Sequence, residues 1–298
     1  MKKVLLASSV LALSAGFASA EIKFSGSAVM GVGDNGIDDP RSILETYLTA
    51  SASGETDAGL SFGFETTIAT YDTDGGLNDD GTSAFISGAF GKLSMGSVAE
   101  ADEVATLPDI GGLSGLGVDN IAEAFTGDSA GRETHDVNYT YSGGPLTFGA
   151  SAHIGAAGEG DGYAVGVKYS FGDAYVGIGY NDDNVSAAAG TVVSLYGGGT
   201  FGAVSVKAMW SEWDPDAAGD KLNAYGVHMD YTVDALTISA QYSANDLENL
   251  AGNGHEAFGL GAAYDLGGGA KVVGGVANVT NNDLDDDTVW EMGLSFTF

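Results

Sequence analysis

Val289-Trp290-Glu291-Met292-Gly293-Leu294-Ser295-Phe296-Thr297-Phe298 ends the chain and decides its fold. Successive side chains of a strand point to opposite faces. Trp290, Met292, Leu294, Phe296 and Phe298 therefore share one face, and Val289, Glu291, Gly293, Ser295 and Thr297 the other. The same period of two runs through 236–244, where Leu236, Ile238, Ala240, Tyr242 and Ala244 oppose Thr237, Ser239, Gln241 and Ser243. It returns in 163–171, 204–211 and 60–71. Alternation over about 9–11 residues is the length of a membrane-crossing strand, against about 5–6 for strands of soluble domains. The polar face is mostly Gly, Ala, Ser and Thr, whereas a water-facing sheet would carry many Lys and Glu.

Working outward, short turns occur at Gly91-Lys92, Gly143-Gly144-Pro145, Gly172-Asp173, Phe201-Gly202, Val233-Asp234 and Gly267-Gly268-Gly269. Longer acidic stretches separate them: 72–81, 155–161, 181–189, 214–220, 245–255 and 280–287. Short turn, strand, long loop, strand is the layout of an up-and-down barrel. The pattern predicts an all-β transmembrane antiparallel barrel of sixteen strands. They fall at 22–33, 42–53, 60–71, 82–90, 92–97, 134–142, 146–154, 162–171, 174–181, 190–200, 203–213, 221–232, 235–244, 256–266, 270–279 and 288–298. A barrel of about 16–18 strands encloses water rather than a packed interior. Tyr71, Tyr141, Tyr169, Phe171, Tyr180, Trp210, Trp213, Tyr231 and Phe298 lie near strand ends, as in the aromatic girdles of membrane barrels.

The N-terminus has an export signal's form. Lys2 and Lys3 precede an apolar run from Val4 to Ala18, and Ala18-Ser19-Ala20 is a small–x–small cleavage site. Residues 1–20 are read as a signal peptide and 21–298 as the barrel domain. Removing the two lysines takes the formal charge from −31 to −33, with eight Lys/Arg left against 41 Asp/Glu. That balance excludes a nucleic-acid partner, because phosphate binding needs clustered bases. There is no cysteine, hence no disulfide. Glycine is 48 of 298 residues, far above the ordinary share of about 7%.

Residues 98–133 break the rhythm. They hold Glu100, Asp102, Glu103, Asp109, Asp119 and Glu123 among their acids and Arg132 as their one base. Val104, Leu107, Ile110, Leu113, Leu116, Ile121 and Phe125 give the stretch an apolar side that argues against disorder. A connection of this length is functional or disordered. The inner wall of a wide barrel is the surface on which it can dock, which makes 98–133 the expected constriction loop. The expected pore-wall residues are Lys23, Glu45, Tyr47, Glu65, Lys168, Lys207, His228, Gln241 and Glu291.

The chain resembles the Rhodobacter-type general porins of the alphaproteobacteria over nearly all of 21–298. The resemblance is densest at Gly54-Glu55-Thr56-Asp57-Ala58-Gly59-Leu60, at 86–96 and at 264–270, and the terminal Phe298 matches the assembly signal of such barrels. It implies a sixteen-stranded homotrimer whose third external loop folds inward. One departure is that strand 2 carries Arg41 only at its start, with Ile43, Glu45, Tyr47 and Thr49 facing in, where the family sets a basic cluster.

These readings predict an outer-membrane pore for ions and small hydrophilic solutes, weakly cation-preferring because clustered carboxylates favour cations. A substrate-specific channel and a secreted β-protein or adhesin are the alternatives. The partners expected are the lipid bilayer and lipopolysaccharide. His135, His153, His228 and His255 show no ligand spacing, so no enzyme and no resident cofactor is expected. His153 beside Ser151 is the strongest catalytic candidate and lacks an acid partner. Asp72-Thr73-Asp74-Gly75 begins like a calcium loop without the later ligands. With Asp283, Asp285, Asp286 and Asp287, it leaves open divalent ions such as Ca bridging acidic loops.

Overall fold

A computed structural model describes residues 21–36, 40–71, 76–127, 135–154, 161–184, 189–217, 219–247, 256–280 and 288–298. Sixteen antiparallel strands close into one barrel. They are β1 Glu21–Asp34, β2 Arg41–Glu55, β3 Ser61–Thr70, β4 Asn78–Gly88, β5 Gly91–Gly96, β6 Val137–Gly143, β7 Leu146–His153 and β8 Gly162–Phe171. The second half follows as β9 Ala174–Asp183, β10 Gly190–Phe201, β11 Val204–Pro215, β12 Leu222–Val233, β13 Leu236–Asn245, β14 Glu256–Gly267, β15 Ala270–Thr280 and β16 Thr288–Thr297. Each strand pairs with its sequence neighbours, and β1 closes on β16 from Ser27↔Thr297 to Asp34↔Trp290. Closure leaves no unpaired edge, which hydrocarbon would not tolerate.

The turns at one end are tight because their residues allow it. Four two-residue turns put their first residue at positive φ: Gly144 (59°), Gly172 (60°), Gly202 (65°) and Asp234 (51°). Hairpin turns whose twist suits the strands need that conformation, and Asp tolerates it better than most side chains.

Alternation in sequence becomes alternation in exposure. In β8, Tyr163, Val165, Val167, Tyr169 and Phe171 are exposed while Gly162, Ala164 and Gly166 are buried. In β12, Tyr225, Val227 and Met229 are exposed and Ala224, Gly226 and His228 buried. A continuous apolar outer face belongs in lipid. The small or polar face points inward.

The predicted and observed strands differ by four residues or fewer at their ends. The largest shift is β4, which begins at Asn78 rather than 82 and slips register against β3 between Thr66 and Ile68. A short helix α1 (Val118–Ala122) lies in the segment read as aperiodic. Two aromatics are reassigned. Tyr71 shares the inward parity of Ala69 and meets the inward Tyr47 ring with centroids 5.8 Å apart. Trp213 shares the inward parity of Ser211 and packs on Phe125 inside the barrel, with ring centroids 5.7 Å apart. A position near a strand end does not itself reveal the face.

Candidate functional site

Between β5 and β6 the chain turns into the lumen. Its described part, residues 97–127, meets the wall through backbone, apolar and polar contacts in turn. The backbone contact depends on glycine. A Cβ on Gly166 would strike the Ala101 carbonyl, and one on Gly179 the Asp102 carbonyl. Further round, Gly226 makes room for Leu107 and Ala122, and Gly259 for Ile110 and Val118.

Apolar contacts follow. Ile110, Leu116, Val118 and Ile121 bury themselves with Ala257, Ala277, Val279 and Val289. Ala124 and Phe125 pack with Val192, Ala224 and Leu247, and Leu107 and Ala122 with Tyr196 and Met209. All these strand residues have inward parity. The loop's apolar side is thus spent on the wall, and burying each large apolar side chain stabilises by about 1.5–3 kcal/mol.

Polar ties fix the register. Glu291 Oε1 accepts from Leu113 N at 2.8 Å, and its Oε2 accepts from the Ser114 N–H and hydroxyl, each at 3.1 Å. Ser151 Oγ accepts from Ala101 N at 2.8 Å and lies 2.6 Å from His135 Nδ1. Asn245 Nδ2 donates to Ile121 O at 2.9 Å. The Gln241 amide reaches Pro108 O and His228 Nδ1 through its nitrogen, both at 2.7 Å, and accepts from Asp119 N at 3.0 Å. His228 Nε2 then meets Asp230 Oδ1 at 2.9 Å.

The six loop acids divide. Glu100 and Asp102 are buried against β9, where Asn181 Nδ2 donates to both, at 2.5 and 3.2 Å. Glu123 Oε1 accepts from Leu107 N at 2.6 Å and braces the loop's own crossing. Asp109 and Asp119 share a hydrogen bond. Burial, followed by the Asp119 charge, pushes Asp109 up to about 7, and burial raises Asp119 too. Burial also raises Glu123 to about 8, against the pull of the Leu107 amide. Glu103 is half-buried near Gly127. The loop acids expected to supply the negative field therefore serve largely as attachment points, and Glu123 and the Asp109–Asp119 pair hold protons near neutrality.

All nine expected wall residues have inward parity. Lys23, Ser51 and Glu65 share one row across β1–β3. Tyr47 donates to Glu45 Oε2 at 3.1 Å, and Ile43 below them is buried. Lys168 lies over the Tyr175 ring, 4.5 Å from its centroid. Lys207 Nζ donates to Thr106 O at 3.4 Å, touching the loop from the wall. His228, Gln241 and Glu291 are buried beneath the loop, so they hold it rather than wet the pore. Sequence reasoning missed Asn181, Asn245, Tyr196 and the glycine seats. Their signal was parity alone, which did not say where the loop would lie.

A closed barrel greasy outside and polar within, crossed by a pinned inward segment, defines a passive water-filled transmembrane pore. The profile of the Gram-negative porin family matches residues 7–284. The chain is 34% identical to the porin of Rhodobacter capsulatus over 93% of this chain and 100% of that one. A refined porin structure superposes with a TM-score of 0.72 at 29% identity, covering 93% of this chain and all of that one. A variant of the Rh. blastica porin superposes with a TM-score of 0.74 at 17% identity, over 93% of this chain and all of that one, a likeness of fold. The chain belongs to the Gram-negative porin family. It is a general diffusion porin of the outer membrane, a β-barrel passing small solutes.

Proposed function

We propose that this pore conducts as a homotrimer with a weak preference for cations, and that it performs no chemistry of its own. The observation that carries the selectivity is the surplus of acids over bases, 41 against 10, set against a loop whose own carboxylates are tied down. The negative field then comes from the acids at the loop end and from Glu45 and Glu65. It is screened beyond a Debye length of about 8–10 Å in salt, so the preference is modest.

The trimer reading is supported by hydroxyls on the outer face of β2–β4. Thr66 and Thr82 are bonded side chain to side chain at 2.7 Å there, with Thr46 and Thr70 paired nearby. Such a patch suits a protein neighbour better than lipid. A cleavable leader at 1–20 and divalent ions linking acidic loops to lipopolysaccharide complete the proposal, although the leader and Asp72, Asp74 and 281–287 lie outside the described residues. Against catalysis by the Ser151–His153 pair, Ser151 is buried and engaged by Ala101 N and His135 Nδ1. His153 does have an acid beside it, Asp136 at 3.7 Å, but no bond to Ser151.

Reconstitution into planar bilayers under a KCl gradient tests the selectivity. A small reversal potential of cationic sign, larger at low salt, is expected. An anionic sign overturns it. Unchanged trimer melting with excess chelator would remove the divalent ions.

A further inference from the structure

At the loop end of the lumen, a cavity of about 320 Å3 lies between Ser114–Ile121 and the wall of β1, β2, β15 and β16. Its floor is apolar: Ile43, Leu116, Ile121, Val279 and Val289 are each at most 9% exposed. Arg41, first residue of β2, stands at its rim. Among the described residues its guanidinium makes no ion pair. Two acids also line the cavity, and both have partners. Glu291 accepts three hydrogen bonds from Leu113 and Ser114. Asp34 Oδ1 accepts from Gly36 N at 2.9 Å. Asn120 on α1 adds an exposed amide.

We propose that this cavity is a weak binding site for small carboxylates that carry a compact apolar body. With no ion pair among the described residues, the Arg41 guanidinium offers five donors in a planar fork that matches a carboxylate. The apolar floor selects the other end of the molecule. A fully polar solute would leave that floor in contact with poorly matched groups, and an apolar cation would meet Arg41 as a like charge. The volume lies near the lower end of the range of about 300–1,000 Å3 for ligand pockets, which favours a small body. The site rests on the open-pore reading above and adds to it a place where one solute class pauses.

Three probes with one carbon skeleton test it on reconstituted pores: 4-methylpentanoate, 4-methylpentan-1-amine and 4-methylpentan-1-ol, read as excess current noise and reduced mean current. The carboxylate is expected to act at a concentration at least fivefold lower than the other two on the native pore. Arg41→Gln should abolish that difference, and Arg41→Lys, which keeps the charge and loses the fork, should retain part of it. Equal action of the three probes, or an unchanged carboxylate effect in Arg41→Gln, overturns the site. Open-pore conductance without probe reports the porin reading separately: its loss would sink that reading, and its presence with no carboxylate preference sinks only the site.

Discussion

At the scale of single residues, proton uptake by the loop has a definite sign. Asp109 and Glu123 have pKa values raised by burial, to about 7 and about 8. A raised value means the folded state holds its proton longer. The contribution to loop docking is therefore complete below the ordinary carboxylate range and is lost as pH rises through about 7 to 8. Over the same window the pore gains negative charge. Cation preference, measured as reversal potential between pH 5 and pH 9, should rise, with more current flicker at the alkaline end. In Asp109→Asn/Glu123→Gln the rise should flatten, and an equally steep profile would show that other acids carry it. Gly179 gives a second expectation. Replacement by Leu places carbon where the Asp102 carbonyl sits, so the loop must shift and single-channel conductance should change by more than about 20%, since packed cores do not absorb such volume freely. The same change at Gly219, whose nearest neighbour is 3.6 Å from an added Cβ, should leave conductance as it was.

At the scale of elements, the strands were legible because lipid and water impose the period of two at every step. Runs such as 162–171 match to the residue. The loop was legible as an interruption with an apolar side, and its acids could be named. Their orientation could not, because facing pore or wall depends on which groups across 80 or more positions of sequence stand opposite, as with Glu100 and Asn181. Helix α1 escaped notice because five residues are too few to show a period of 3.6. Glu291 is the strongest single tie between loop and β16. Its change to Leu leaves the half-buried Leu113 amide without its acceptor, at the low end of about 1–3 kcal/mol, while the exposed Ser114 amide and hydroxyl turn to water. The barrel should still form, judged by unaltered heat-modifiable gel mobility. The segment around 113–116 should become cleavable by protease, and continued resistance would mean the apolar cluster suffices.

At the scale of the molecule, charge is distributed unevenly along the axis. Lys92, Lys168, Lys207 and Lys271 sit within a few residues of the short turns, and Lys23, 3.3 Å from Glu21, lies at the same end at the start of β1. Among the described residues only Arg41 and Lys221 stand near the other end, and Lys221 is engaged by Glu212 and Asp214 at 2.7 and 3.3 Å. Asp79, Asp80, Asp182, Asp183, Asp216, Asp220 and Asp246 crowd that end. A pore so polarised should pass unequal currents at opposite voltages in dilute salt. The inequality should vanish near 1 M, where the Debye length falls to about 3 Å. Symmetric curves at about 0.05 M, where screening reaches well beyond 10 Å, would refute this.

The pairing of β1 with β16 carries a consequence for assembly. The first strand finds its last partner only once Phe296 and Thr297 exist, since they lie opposite Ala28 and Ser27. No partial product of synthesis can shut the cylinder, and any shortened chain would present two sticky ribbons to its neighbours. Such a polypeptide must be kept apart from its siblings until β16 is delivered, so the timing of closure is set by that strand.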